Sequence, residues 1–165
     1  MKKILVVSAL SLLLGACAQI APVSSSAPGT AVMTSPSLNA TTLSAYHWYL
    51  VKAEDARGRD IPALQTGVNA ALYLAFSDQS ISVRGGCNTQ FGGYVLKAGA
   101  LQLKGLASTM MACDSALMEL DQAVALHLKG DLAAGLLGDA RTPVLVLTTA
   151  GGDVLTLEGK PASVK

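Results

Sequence analysis

Gly86-Cys87-Asn88 is the first of two segments that indicate how this chain folds, and Ser108-Thr109-Met110-Met111-Ala112-Cys113 is the second. The first segment follows alternating apolar residues and carries residue types that favour turns. The second segment directly precedes a stretch with helical periodicity. Both cysteines are therefore predicted to lie at the ends of secondary-structure elements.

Short strands are predicted on both sides of the first segment. Apolar residues alternate at 72–76 and 81–83 around a turn at 77–79, which predicts a hairpin with one buried face. Two more hairpins are predicted by the same pattern, at 94–103 and 144–157.

A helix is predicted directly after the second segment. Asp114 is a good N-cap, and Gly130 is a C-terminal stop. Between them the apolar residues recur every three or four positions, at Leu117, Leu120, Val124 and Leu128. One helix among some eight strands predicts an α+β domain in which the helix packs on a small, strongly curved antiparallel β-sheet.

The two segments, with Phe91-Gly92-Gly93-Tyr94 between them, resemble the META domain, the family of the HslJ-like heat-shock lipoproteins. The matching motif residues are Gly86, Cys87, Asn88, Thr109, Met110, Met111, Ala112 and Cys113. The chain departs from the family where glycines are frequent, at Gln79 or Ser80 and at Val83. The resemblance implies a curved sheet or open barrel with one helix.

Cys87 and Cys113 have a structural and a redox interpretation. A disulfide between them closes a loop with 25 intervening residues, which stabilises a fold by about 3–4 kcal/mol in the chain-entropy model. A redox role is favoured by the position of Cys113 at a helix N-terminus. The two cysteines lack Cys-x-x-Cys spacing and a nearby third thiol, so we expect a structural disulfide in an oxidising compartment.

The other motif residues also have two interpretations. The glycine pairs at 85–86 and 92–93 serve either tight turns or an anion-binding nest, and turns are the expected role. Asn88 is predicted to bond local backbone. The methionines are expected to pack in the core. In the alternative, an apolar ligand cavity is lined by Phe76, Met110, Met111 and Leu117. Trp48 is assigned to the core of the first strand.

The first 17 residues have the layout of a secretory signal peptide, with a basic start and an apolar stretch at 4–14. That stretch is shorter than the about 20 residues of a bilayer-spanning helix. Leu14-Gly15-Ala16-Cys17 resembles the lipobox of bacterial lipoproteins, which implies acylation of Cys17, palmitate being a typical chain. The alternative is ordinary cleavage that leaves Cys17 as a free thiol. By resemblance to lipoprotein sorting, Ala18 implies an outer-membrane anchor with the protein facing the periplasm.

Four parts of the chain are predicted. Residues 1–17 are a lipoprotein signal peptide, and 18–45 are an uncharged Ala/Ser/Thr/Pro tether. Residues 46–158 form the META-like domain, and 159–165 are a C-terminal tail.

The composition points away from nucleic-acid binding and catalysis. Without Lys2 and Lys3 the chain has ten basic and eleven acidic side chains, and the basic ones are scattered. Nucleophile-elbow, zinc-helix and phosphate-loop motifs are absent, and His47 and His127 do not have metal-ligand spacing. No site is predicted from the spacing of the carboxylates Asp55, Asp60, Glu119 and Asp121. We expect no enzyme activity, no metal and no cofactor.

Three functions remain as hypotheses. The first is a non-catalytic envelope lipoprotein that acts through contacts with another envelope protein, with a stress-related role implied by the family alone. The second is a binding module for a small apolar, lipid-like ligand. The third is a thiol–disulfide redox protein. The membrane itself is an expected partner through the acyl chains on Cys17.

Overall fold

The computed structural model describes residues 37–65 and 71–162. The helices of these ranges are α1 (Ala40–Ser44), α2 (Pro62–Gln65) and α3 (Ser115–His127). The strands are β1 (Tyr46–Glu54), β2 (Tyr73–Phe76), β3 (Ser80–Arg84), β4 (Gln90–Lys97), β5 (Ala100–Leu103), β6 (Ala107–Ser108), β7 (Gly130–Leu137), β8 (Val144–Thr148) and β9 (Val154–Pro161).

Eight of the strands form a closed antiparallel β-barrel. Their order is β3-β2-β1-β9-β8-β7-β5-β4, and the pairing of β3 with β4 joins the two ends of the sheet. The short strand β6 is added to β4 outside this ring. The predicted α+β fold with a strongly curved antiparallel sheet is confirmed, and the sheet is closed rather than open.

The predicted hairpins form because their apolar residues alternate with the period of a strand. In β8, the sequence VLVLT buries every second residue, and Leu145 and Leu147 lie fully inside. The partner strand β9 places Leu155 opposite Leu147 and Leu157 opposite Leu145. Inward-pointing leucines from facing strands therefore fill the barrel.

The core of the barrel is continuous and apolar. Trp48 is fully buried, as predicted, and its indole N–H donates to the carbonyl of Leu43 at 2.9 Å. Phe76 and Tyr94 meet edge to face with ring centroids 5.3 Å apart. The largest fully buried side chains are Trp48, Leu43, Leu74, Ile81, Leu101, Leu120, Leu128, Leu132, Leu145, Leu147, Leu155 and Leu157.

Helix α3 occupies the predicted segment. Asp114 caps it, since its carboxylate accepts the N–H of Leu117 at 3.1 Å. The face that carries Leu120, Val124 and, just beyond the helix, Leu128 joins the barrel core. None of the helices in the described ranges is long and apolar enough to cross a membrane.

The packed structure extends beyond the predicted limits 46–158 at both ends. Residues 40–44, placed in the tether by the sequence, form α1, which Asn39 caps and whose Leu43 is buried in the core. At the other end β9 continues to Pro161, and the N–H of Ala162 donates to the carbonyl of Ala45 at 2.9 Å. A buried leucine and a backbone pairing thus hold these segments to the barrel. The signal peptide, Cys17 and the tether up to residue 36 lie outside the described residues.

Candidate functional site

The two motif segments meet in space through a disulfide. Cys87 lies after β3 and Cys113 lies directly before the cap of α3, and their sulfurs are bonded, with the Cα atoms 5.8 Å apart. Cys87 is buried, whereas Cys113 is exposed. The disulfide holds residues 109–113, here called the strap, to the loop between β3 and β4.

The side chain of Asn88 also holds the strap in place, through hydrogen bonds. Its side-chain N–H2 donates to the carbonyl of Met111 at 3.2 Å, and its side-chain oxygen accepts the N–H of Met111 at 2.7 Å. The same oxygen accepts the hydroxyl of Thr109 at 2.9 Å. Asn88 is only 7% exposed, so these bonds are shielded from water. The prediction that Asn88 bonds local backbone is therefore wrong, because the backbone that its side chain bonds is more than twenty residues away.

Asp121 of α3 completes this buried network. Its Oδ2 accepts both the backbone N–H of Asn88 at 2.9 Å and the side-chain N–H of Asn88 at 2.8 Å. Its backbone carbonyl accepts the side chain of Gln90 at 2.7 Å. Asp121 is 9% exposed. One carboxylate thus ties the helix to the loop that carries the disulfide.

Gly86 and Gly92 lie in close contact with groups from other parts of the fold. A Cβ at Gly86 would collide with Oδ1 of Asp121 in its present position, so glycine lets the carboxylate approach this loop closely. Gly92 lies against the carbonyl of Gly105 in the same way. These contacts favour the turn-and-packing interpretation of the glycines over an anion-binding nest.

Asp121 was not singled out by the sequence, although a signal was present. It lies four residues after Leu117 and three before Val124, on the face of α3 that is buried in the core. A carboxylate on the apolar face of a helix must find hydrogen-bond donors when it is buried. That position predicts a partner, but it does not identify Asn88, which lies 33 residues earlier.

A groove of about 460 Å³ runs between the strap and α3. Its base carries the buried polar residues Asn88, Gln90 and Asp121. The walls of this methionine groove are Leu106, Ser108, Thr109, Met110, Met111 and Ala112 on the strap side and Met118, Gln122 and Ala125 on the helix side.

The two strap methionines point away from the core. Met110 is 99% exposed and Met111 is 60% exposed, so the expected core packing of these residues is wrong. The reason is the strap itself. Its backbone is held by Asn88 and the disulfide on the outside of the barrel, where apolar side chains have no core to enter.

The proposed cavity of Phe76, Met110, Met111 and Leu117 is not formed as a set. Met110 and Met111 line the methionine groove, but Phe76 is a core residue that touches a separate depression beside β3 and β4. Leu117 is half-buried against the core. The barrel interior is occupied by core side chains, mainly leucines and Trp48.

The remaining candidate residues form structural pairs. His47 packs on Tyr73 with ring centroids 5.2 Å apart, and Nδ1 of His127 lies 3.0 Å from Oδ2 of Asp153. No group of three or more His, Cys, Asp or Glu side chains positioned to hold a metal occurs within residues 37–65 and 71–162. The geometry of the site is that of a braced surface groove.

Comparison with known proteins agrees with this fold. A family model described as the META domain matches residues 41–162, well over half of the chain. An NMR structure of a protein from Burkholderia xenovorans is 25% identical, with a TM-score of 0.63 and a match covering 81% of this chain and 97% of that one. A second NMR structure is 27% identical, with a TM-score of 0.53 and coverage of 74% and 95%. No curated protein matches the chain.

Proposed function

This chain belongs to the META domain family, and from that premise we propose that it is a non-catalytic envelope lipoprotein whose domain binds a partner protein through the methionine groove. Acyl chains on Cys17 anchor it to the outer membrane, and the domain faces the periplasm. Two or more acyl chains anchor stably, because each buried methylene contributes about 0.8 kcal/mol.

One observation carries the proposal: two large apolar side chains are presented to solvent on a fixed backbone. Met110 and Met111 are exposed although the strap that bears them is held by a disulfide and by Asn88. A rigid strap loses little conformational freedom on binding, so more of the interaction energy remains as affinity. Burial of an exposed methionine side chain contributes about 1.5–3 kcal/mol.

The chemistry of the groove specifies the partner surface. Among the described residues that line the groove, Asp121 is the one that carries a charge, and its Oδ2 already accepts two hydrogen bonds. A charged partner segment would therefore lose its hydration without gaining a counter-charge of full strength. We expect the partner to present an uncharged, apolar segment, which the adaptable methionine side chains can cover.

A site-specific photo-crosslinker tests this function in the native host. A benzophenone amino acid is placed at Ala125, which is exposed on the helix wall of the groove, in the full-length chain. The matched control places it at Leu137, which is also apolar and exposed, at 58%, and does not line the groove. We expect one adduct of discrete mass from position 125, lost on Met111→Asp, and none from position 137. Equal labelling from both positions, or none from either, would contradict the proposal.

A small apolar ligand in the same groove is the second candidate. The observation that favours it is the groove volume, about 460 Å³, which is within the size range of ligand sites. Native mass spectrometry of the protein purified without detergent distinguishes the two candidates. A bound small mass that disappears on Met111→Asp favours the ligand, whereas an apo mass together with the protein adduct favours the partner.

A further inference from the structure

Sulfur atoms are concentrated around the methionine groove. In the described ranges every methionine, namely Met110, Met111 and Met118, lines the groove, and the Cys87–Cys113 disulfide lies at the end of the strap. The disulfide is already oxidised. The three thioethers are therefore the reduced sulfurs that remain at this surface.

The thioethers differ in their access to a dissolved reagent. Met110 is 99% exposed and Met111 is 60% exposed, whereas Met118 on α3 is half-buried. Oxidation of methionine to the sulfoxide is faster for accessible side chains and is reversed by sulfoxide reductases. Exposure thus ranks Met110 first and Met118 last.

We propose that Met110 and Met111 are an oxidation site, and that their conversion to methionine sulfoxide releases the partner from the methionine groove. This inference rests on the proposed function of the groove. The co-reactant is a two-electron oxygen-transfer oxidant, of which hypochlorous acid is the example used below.

The reaction is balanced with that oxidant alone. The thioether sulfur gives an electron pair and forms a bond to oxygen, and the oxygen–chlorine bond breaks. Chloride leaves with the bonding pair, and the hydroxyl proton passes to solvent. The sulfur is oxidised by two electrons, and hypochlorous acid is reduced to chloride.

Oxidation of the strap methionines is expected to change the polarity of the groove surface and to leave the fold of the strap unchanged. The backbone of Met111 is held by Asn88 through its N–H at 2.7 Å and its carbonyl at 3.2 Å, and neither bond involves a sulfur atom. The new S=O group therefore stays at the groove. There it would be buried under an apolar partner without a donor, which is costly. We expect at least about a tenfold loss of bound partner, which corresponds to about 1.4 kcal/mol.

The chemical half of the proposal is tested on the purified full chain. Graded hypochlorous acid is followed by peptide mass spectrometry. We expect a gain of one oxygen at Met110 and Met111 before Met118, with an unchanged thermal midpoint. Equal rates at the three positions, or unfolding that accompanies oxidation of the strap, would overturn the proposal.

Release of the partner is tested by measuring the crosslinked adduct formed from position 125, in cells with and without oxidant. In the otherwise wild-type chain the adduct is expected to fall at least about tenfold after oxidant. The matched variant is Met110→Leu with Met111→Leu, which is apolar and cannot form a sulfoxide. It is expected to keep its adduct under the same treatment.

The outcomes separate the two proposals. No adduct in untreated cells means that the proposed function itself has failed. An adduct that survives oxidant in the wild-type chain overturns the oxidation site and leaves partner binding intact. An adduct that is lost equally in the leucine variant overturns it too, because the oxidant then acts elsewhere.

Discussion

Asn88 is the residue on which the site depends, because its side chain joins the loop after β3 to two other parts of the chain. It makes hydrogen bonds to Thr109 and Met111 of the strap and to Asp121 of α3. Its own backbone N–H is held by the same carboxylate. No side-chain nitrogen or oxygen that is buried in the described ranges lacks a partner, and both the nitrogen and the oxygen of the Asn88 side chain make two hydrogen bonds.

Asn88→Ala tests this network. The substitution leaves the N–H of Met111 and the carboxylate of Asp121 short of partners, and each bond contributes about 0.5–1.5 kcal/mol. We expect a loss of about 3 kcal/mol in the free energy of unfolding, measured in urea, with faster amide exchange at Met111.

The control for this variant is Ser82→Ala on the outer face of β3, where the side chain makes no hydrogen bond within the described residues. Its stability should change by less than about 0.5 kcal/mol. An Asn88→Ala protein as stable as this control would contradict the role assigned to Asn88.

Asp139 makes a pH-dependent contribution at the turn between β7 and β8. The backbone N–H groups of Arg141 and Thr142 donate to its carboxylate at 2.8 and 3.0 Å and lower its pKa. A lowered folded-state pKa gives stability that is present above the unfolded pKa of about 4 and is lost as the pH falls through the folded value. Asp139→Asn should lower the thermal midpoint at pH 7, and the difference from the wild type should shrink as the pH falls below about 4.

The matched control is Asp131→Asn on β7, an exposed carboxylate without a hydrogen bond or ion pair among the described residues. It should not change the midpoint at either pH. A pH-independent effect of Asp139→Asn would show that the carboxylate charge is not the cause.

At the scale of elements, the strap and α3 act as one unit. The disulfide fixes the end of the strap directly before Asp114, which caps the helix. The side chain of Gln90 in β4 reaches the backbone of Asp121 at 2.7 Å. Helix α3 is thus connected to the strap at its start and to a strand at Asp121, and the methionine groove between the strap and α3 has a defined shape.

The disulfide is expected to supply a large share of the stability of this unit. Cys87 and Cys113 are 26 positions apart, and closing such a loop stabilises by about 3.5 kcal/mol in the chain-entropy model. We expect the double variant Cys87→Ser, Cys113→Ser to have a free energy of unfolding in urea about 3–4 kcal/mol lower than the wild type. It should still fold, because Asn88 retains its hydrogen bonds.

Wild-type protein kept in a strong reductant is the second measurement for the disulfide. It should unfold at the midpoint of the double variant. If the oxidised and reduced proteins unfold at the same urea concentration, the disulfide does not have the structural role proposed for it.

At the scale of the whole molecule, the barrel closes on a core that includes residues before β1. Leu43 of α1 is 1% exposed, and its carbonyl accepts the indole N–H of Trp48. The segment just after β9 joins the same region, since the backbone N–H of Ala162 donates to the carbonyl of Ala45. Helix α1 is therefore part of the folded domain.

Leu43→Ala tests that boundary. Removal of a buried leucine side chain typically costs about 2–5 kcal/mol, because a cavity is left as well as lost apolar burial. We expect the free energy of unfolding, measured in urea, to fall by about 3 kcal/mol. Thr41→Ala on the exposed side of α1 is the control and should be nearly neutral. A neutral Leu43→Ala would mean that the domain folds without this helix.

Local patterns were sufficient for those elements whose apolar residues have a clear period. The alternation in β2, β3 and β8 and the three-to-four residue spacing in α3 predicted type and position, because burial of one face imposes those periods on any packed strand or helix. The paired cysteine segments likewise indicated the family and the disulfide, since each residue type there serves a turn, a cap or a covalent link.

The tertiary structure alone decided how distant residues meet. The pairing of β1 with β9, the docking of α1 and the partnership of Asp121 with Asn88 join residues that are far apart or locally featureless in sequence. The exposure of Met110 has the same origin. An apolar residue is buried only where the packed fold offers it a core, and the strap passes outside the barrel.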